Sequence, residues 1–112
     1  MNEALIHSCD VYFYTVGQRM GIDTIAEYAK QFGLGQETGV ELPSERVGIV
    51  PSTAWKQKAR NQPWYPGETI SAAIGQGYVT VTPLQMASVI GKVANDGVSI
   101  KPRLVQAVMN RT

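Results

Sequence analysis

His7, Ser8 and Asp10 fall within four consecutive residues and are the side-chain types that serve as base, nucleophile and orienting acid in acyl transfer. Their spacing argues against a relay among themselves. Residues one or two positions apart on a helix point in different directions, whereas a relay needs side chains delivered from separate segments. His7 is also the sole histidine of the chain. Locally, Ser8 reads as a break between two helices and the cap of the second, with Asp10 complementing that helix's positive end. The same placement can serve a site, because a helix start on a cleft wall presents a fixed hydroxyl and a fixed acceptor. Cys9, between them, reads as a small buried packing residue, since nothing basic beyond His7 flanks it to lower its pKa.

Other chemistries find less support. Gly75-Gln76-Gly77 lacks the lysine of a phosphate-binding loop and the third glycine of a dinucleotide fingerprint. One cysteine and one histidine argue against a structural zinc site and exclude an internal disulfide, and no cofactor is implied. Ten basic and nine acidic residues are interspersed, so neither nucleic acid nor an anionic membrane is an expected partner. The longest apolar stretches are interrupted well short of a membrane span, and the amino terminus does not resemble a signal peptide, so the chain reads as soluble. With 112 residues and 44% hydrophobic content, it can fill one modest core as one domain or a piece of one.

The elements that must position Ser8 and Asp10 follow from periodicity and punctuation. Residues 2–7 suit the tail of a helix. A helix is expected over residues 10–20, with Val11, Tyr14 and Phe13 on its apolar face and Gly21 as its stop. Ile22, Ile25, Ala26, Ala29 and Phe32 recur with helical spacing, and Asp23 is the expected cap of that helix. Residues 33–51 are broken by glycine and proline and predict an ordered loop with short extended pieces. Ser52 can cap a helix over residues 53–60, whose Lys56, Lys58 and Arg60 read as a solvated face around an anchoring Trp55. Pro63 and Pro66 make residues 62–67 a stiff irregular loop carrying Trp64 and Tyr65. Residues 83–94 give the clearest helix, capped by Thr82 with Pro83 and Gln85 in supporting places, Val81 stapled onto Met86, and Asn95-Asp96-Gly97 at its end. Residues 104–108 look like a strand without a partner.

In order and spacing, several of these pieces resemble the transpeptidase domain of the class B penicillin-binding proteins of the cell-elongation type, penicillin-binding protein 2. They are Ser8-Cys9-Asp10-Val11-Tyr12-Phe13-Tyr14, Gly21-Ile22-Asp23, Phe32-Gly33-Leu34-Gly35 with Thr38-Gly39 and Leu42-Pro43, Pro51-Ser52 with Trp55-Lys56, the residues 62–67, and the run 74–85. The resemblance implies a mainly α chain with short strands, the helical part of the α+β fold shared by penicillin-binding proteins and serine β-lactamases.

Enzymes of that superfamily use a Ser-x-x-Lys with the nucleophile, a Ser-x-Asn, and a Lys-Thr-Gly or Lys-Ser-Gly. This chain holds the second alone, as Ser8-Cys9-Asp10. Residues 1–112 would therefore be a partial transpeptidase domain, starting after the nucleophile's helix and stopping before the third motif. The resemblance implies a catalytic role for Ser8 as proton relay and a substrate-binding role for Asp10, which as a carboxylate accepts but cannot donate. It further implies peptidoglycan stem peptides and β-lactams as ligands of the whole domain. The parent would be anchored in the bacterial inner membrane with a periplasmic catalytic domain, and this stretch would make no membrane contact and be inert alone. With the central sheet missing, uncovered apolar helix faces predict self-association or rearranged packing. Two other readings are a free-standing helical interaction module and a serine β-lactamase-type hydrolase. The punctuated 33–51 segment and residues 62–67 favour the transpeptidase.

Overall fold

Six helices form within residues 1–110, the part described by the computed structural model: α1 (Asn2–Ile6), α2 (Asp10–Met20), α3 (Ile22–Gln31), α4 (Thr53–Arg60), α5 (Pro66–Ala73) and α6 (Pro83–Ala94). Extended chain contributes one antiparallel bridge, Ile49 with Thr80. The expected mainly α character is present. The expected strand at residues 104–108 is not, because nothing among the described residues offers an edge to pair with it.

Helix α6 starts as its capping residues dictate. Thr82 Oγ1 accepts from the Gln85 N–H at 3.1 Å, and Gln85 Oε1 accepts from the Thr82 N–H at 2.9 Å. Gln85 also does something its sequence position does not announce. Its side chain is buried, and Nε2 donates to the Gln36 carbonyl at 2.9 Å and to the Val47 carbonyl at 2.8 Å, stitching the 33–51 loop onto α6. That loop needs a glycine at position 48, where φ is +67° and a Cβ would lie 2.2 Å from the Thr80 carbonyl oxygen. A second clamp closes it. The Glu45 carboxylate accepts from the Thr38 hydroxyl and from the Thr38 and Gly39 N–H groups, and the Thr38 hydroxyl bond leads these in holding Glu45 below the usual carboxylate pKa.

Asp23 is not the cap of α3, whose N-cap is Gly21. Its carboxylate reaches Thr53 instead, accepting from the backbone N–H at 2.9 Å and the hydroxyl at 2.8 Å, so α3 satisfies an orphan donor at the start of α4. Ser52 caps α4 as expected, accepting from the Trp55 N–H at 3.0 Å.

Helix α5 overturns the reading of residues 62–67 as wholly irregular. Pro66 occupies the first helical position, where a missing N–H costs nothing, and Glu68 Oε2 accepts from the Tyr65 N–H at 2.9 Å. Pairing of α2 with α5 is the main helix contact of the molecule. Gly17 of α2 meets Ala73 of α5 so closely that a Cβ on Gly17 would lie 2.4 Å from the Ala73 Cβ. Met20 shares a surface depression with Pro66 and Thr69. The inward residues of α2 are Phe13, Tyr14, Val16 and Gly17, whereas Val11, expected on that face, is 71% exposed. No helix among the described residues is long and apolar enough to cross a membrane.

Candidate active site

Ser8 lies between α1 and α2 with φ +49°, the left-handed region that serine seldom enters. Its N–H donates to the Leu5 carbonyl at 3.3 Å and the Cys9 N–H donates to the Ala4 carbonyl at 2.8 Å. Those two bonds form a Schellman motif closing α1, with Ser8 in the position glycine normally takes. Ser8 is therefore not the cap of α2. The N-cap is Cys9, and no side chain bonds the α2 amino terminus. Cys9 is exposed rather than buried, because the turn leaves it on the outside of the α1–α2 corner.

Asp10 opens α2 and is the acidic residue of its first turn, where the helix's partial positive charge favours a carboxylate. Both Ser8 and Asp10 are exposed. His7 does not join them, since its Nε2 lies 3.4 Å from the Glu3 carboxylate one turn back on α1. The arrangement offers an exposed hydroxyl and an exposed carboxylate at the α1–α2 turn, held by a helix whose far half is locked on α5. Among the described residues no base is positioned on Ser8, since the sole histidine is directed to Glu3. Among the described residues no group of His, Cys, Asp and Glu is arranged to hold a metal ion.

The strongest electrostatic feature lies elsewhere, and the sequence reading misplaced it. Lys56 is 1% exposed, not part of a solvated face. Its ammonium pairs with the Glu68 carboxylate and lies 4.6 Å from the Tyr65 ring centre, 5.4 Å from Tyr78 and 6.0 Å from Trp64. Burial works against the charge, but Glu68 and the Tyr78 oxygen outweigh it and hold Lys56 above the ordinary lysine pKa. Burial likewise pushes Glu68 up, and Lys56 with the Tyr65 N–H and Tyr78 brings it below the ordinary carboxylate value. Trp55 packs at a tilt of 52° against Tyr78 with centroids 5.1 Å apart, and the Trp64 indole N–H donates to Thr69 Oγ1 at 2.9 Å. This cluster fastens α4 to the start of α5. No signal in the sequence marks it, since Trp55, Trp64, Tyr65, Glu68 and Tyr78 are brought to Lys56 by the fold.

Comparison with known proteins joins these pieces. The sequence profile of the family described as "Penicillin binding protein transpeptidase domain" matches residues 1–112. The peptidoglycan D,D-transpeptidase MrdA of Acinetobacter baumannii is 48% identical over 107 residues, covering 96% of this chain and 16% of that protein. The crystal structure of Pseudomonas aeruginosa PBP2 in complex with WCK 5153 superposes with a TM-score of 0.87 at 42% identity, over 90% of this chain and 23% of that one. Helicobacter pylori PBP2, solved in complex with MreC, gives 0.86 at 42% identity over 90% of this chain and 19% of that one. The chain spans less than a fifth of the length of the curated relatives it matches, 14–17%. A profile match along the whole chain and a backbone that follows solved PBP2 structures agree with the order of motifs read from the residues: the chain belongs to the penicillin-binding protein transpeptidase family, among its penicillin-binding protein 2 members.

Proposed function

We propose that these residues form the Ser-x-Asp portion of a peptidoglycan D,D-transpeptidase that cross-links stem peptides through an acyl-serine. In the whole enzyme a serine Oγ, supplied by a Ser-x-x-Lys outside these residues, attacks the penultimate D-alanine carbonyl of a stem peptide. The peptide bond breaks, the terminal D-alanine leaves with the proton, and an amine of a neighbouring stem then displaces the serine. Ser8 relays the proton between lysines of the other two motifs, because a hydroxyl both accepts and donates. Asp10 orients the substrate amide as an acceptor.

The observation that supports this reading is the state of Ser8. Its hydroxyl is exposed and spent on no cap, and its backbone sits in a conformation that glycine would hold with less strain. We further propose that the parent acts in the periplasm, anchored to the inner membrane, in cell-wall growth that maintains cell shape, and that β-lactams acylate the same nucleophile. The transpeptidase names of the matched relatives favour this over a β-lactamase-type hydrolase or a free-standing interaction module. Residues 1–112 contain no Ser-x-x-Lys and no Lys-Thr-Gly or Lys-Ser-Gly. A fluorescent penicillin is accordingly expected to leave the 112-residue chain unlabelled and to label a longer chain carrying all three motifs. Stable labelling of a serine within these residues would overturn the division of labour.

A further inference from the structure

Ser8 and Asp10 take their positions from the backbone at the head of α2. Cys9 caps the helix without a side-chain bond, and the Ser8 and Cys9 N–H groups tie the turn to the Leu5 and Ala4 carbonyls. From Asp10 to Met20 the helix contains no proline to bend it. Gly17 is separated from Asp10 by about 10 Å of helix at 1.5 Å per residue, so a displacement of the far half is carried to the head.

The far half is held by a contact with no slack. Gly17 is buried, and a Cβ there would lie 2.4 Å from the Ala73 Cβ but 3.6 Å from the Ala73 Cα and 3.7 Å from Ile25 Cδ1. Carbon atoms pack at about 3.5–4.0 Å, so a methyl added at Gly17 parts the two helices by on the order of 1 Å. Helix α5 is the less yielding partner. Its start is tied to α4 by the Lys56–Glu68 pair, the Trp64 indole holds Thr69, and the Gly75 N–H closes its end on the Ala72 carbonyl at 3.0 Å. The displacement therefore falls on α2, and Ser8 moves with it.

We propose that Gly17 and Ala73 are positioning residues for Ser8: their contact sets how close α2 lies to α5 and thereby where the Ser8 hydroxyl stands in the proton relay. The proposal rests on the relay role of Ser8 and adds to it two residues that touch neither substrate nor reacting atoms. Proton transfer requires donor and acceptor within about 2.6–3.2 Å, so a shift of about 1 Å is enough to break the relay. The fit can also be restored from the other side. With the Ala73 methyl removed, the Ala73 Cα at 3.6 Å becomes the nearest atom to a Cβ at position 17, an ordinary packing distance.

The rate constant for acylation by a saturating labelled penicillin, measured in a longer chain carrying all three motifs, tests this. Gly17→Ala is expected to slow it by about 10–100-fold, and adding Ala73→Gly is expected to return it to within about threefold of the unaltered protein. In the Ser8→Ala background Gly17→Ala is expected to change the rate by less than about threefold, because the group it positions is already gone. A loss of stability alone would slow both backgrounds alike. If Ser8→Ala acylates at the unaltered rate, the relay fails and the positioning role fails with it. A slow Ser8→Ala beside a Gly17→Ala that keeps the unaltered rate, a double variant that is not rescued, or equal slowing by Gly17→Ala in both backgrounds would overturn the positioning role and leave the relay standing.

Discussion

Ser8 occupies a left-handed position that closes α1, and a side chain there carries strain that glycine would relieve. Ser8→Gly is therefore expected to stabilise the chain by about 0.5–1 kcal/mol in denaturant titration, a gain tempered by the greater freedom of glycine in the unfolded state. Lys56 leads to a second expectation. Lys56→Ala strands the Glu68 carboxylate beside three aromatic rings and should lower Tm by on the order of 10 °C, whereas Lys56→Met, which keeps the stem and removes the charge, should cost much less when paired with Glu68→Gln. Glu68 is held below the ordinary carboxylate pKa, so its contribution is present above that ordinary value and lost as pH falls through the depressed one. Lys56 is held above its ordinary value, so its part persists through neutral pH and is lost only as pH rises past the raised pKa. A stability profile that stays flat as pH falls from the ordinary carboxylate value through the depressed one would contradict the pair. The assignment of Ser8 and Asp10 rests on motif spacing; the burial of Lys56 was not legible, because charge spacing within a short helix cannot reveal an acid twelve residues on across a proline loop.

At the scale of elements, local signals located α2, α4 and α6 to the residue, since each boundary has its own chemistry: Gly21, Ser52 and Thr82. Helix α5 was hidden because its start, Pro66-Gly67, reads as a turn until Pro66 is recognised as a first helical residue. The inward face of α2 was placed rightly at Phe13 and Tyr14 but wrongly at Val11, for a related reason. Its burial is organised around Gly17, a residue with no apolar weight, since close approach to Ala73 decides which side faces inward. Gly17→Ala should thus destabilise by about 1–3 kcal/mol despite alanine's better helix propensity, because the Ala73 Cβ is fixed to backbone and cannot yield. Gly67→Ala, where a Cβ meets nothing, should instead stabilise by roughly 0.5–1 kcal/mol. Equal effects from the two in thermal unfolding would remove Gly17 from its place as the hinge of α2 on α5. Because α2 carries Ser8 and Asp10 at its head, that docking also sets where the two side chains project.

Among the described residues five hydrophobic residues are buried, Ala4, Ile22, Ala26, Val40 and Ala72, and three of the five are alanines. So thin a core explains why composition, which suggested one modest domain, said little about how completely the chain would close. It also explains why polar clamps matter here: Asp23 on Thr53, Glu45 on Thr38, Gln85 on the loop and Lys56 on Glu68 hold elements that apolar packing alone does not. An open frame whose motif hydroxyl stands free at one corner suits a role completed by groups from other motifs. The most direct test is the rate at which a labelled penicillin acylates a longer chain containing these residues together with the Ser-x-x-Lys and Lys-Thr-Gly motifs, compared between Ser8 and Ser8→Ala. The account predicts a fall of about 10²–10⁴-fold with unfolding unchanged. An acylation rate equal to that of the unaltered protein would contradict a proton relay through Ser8.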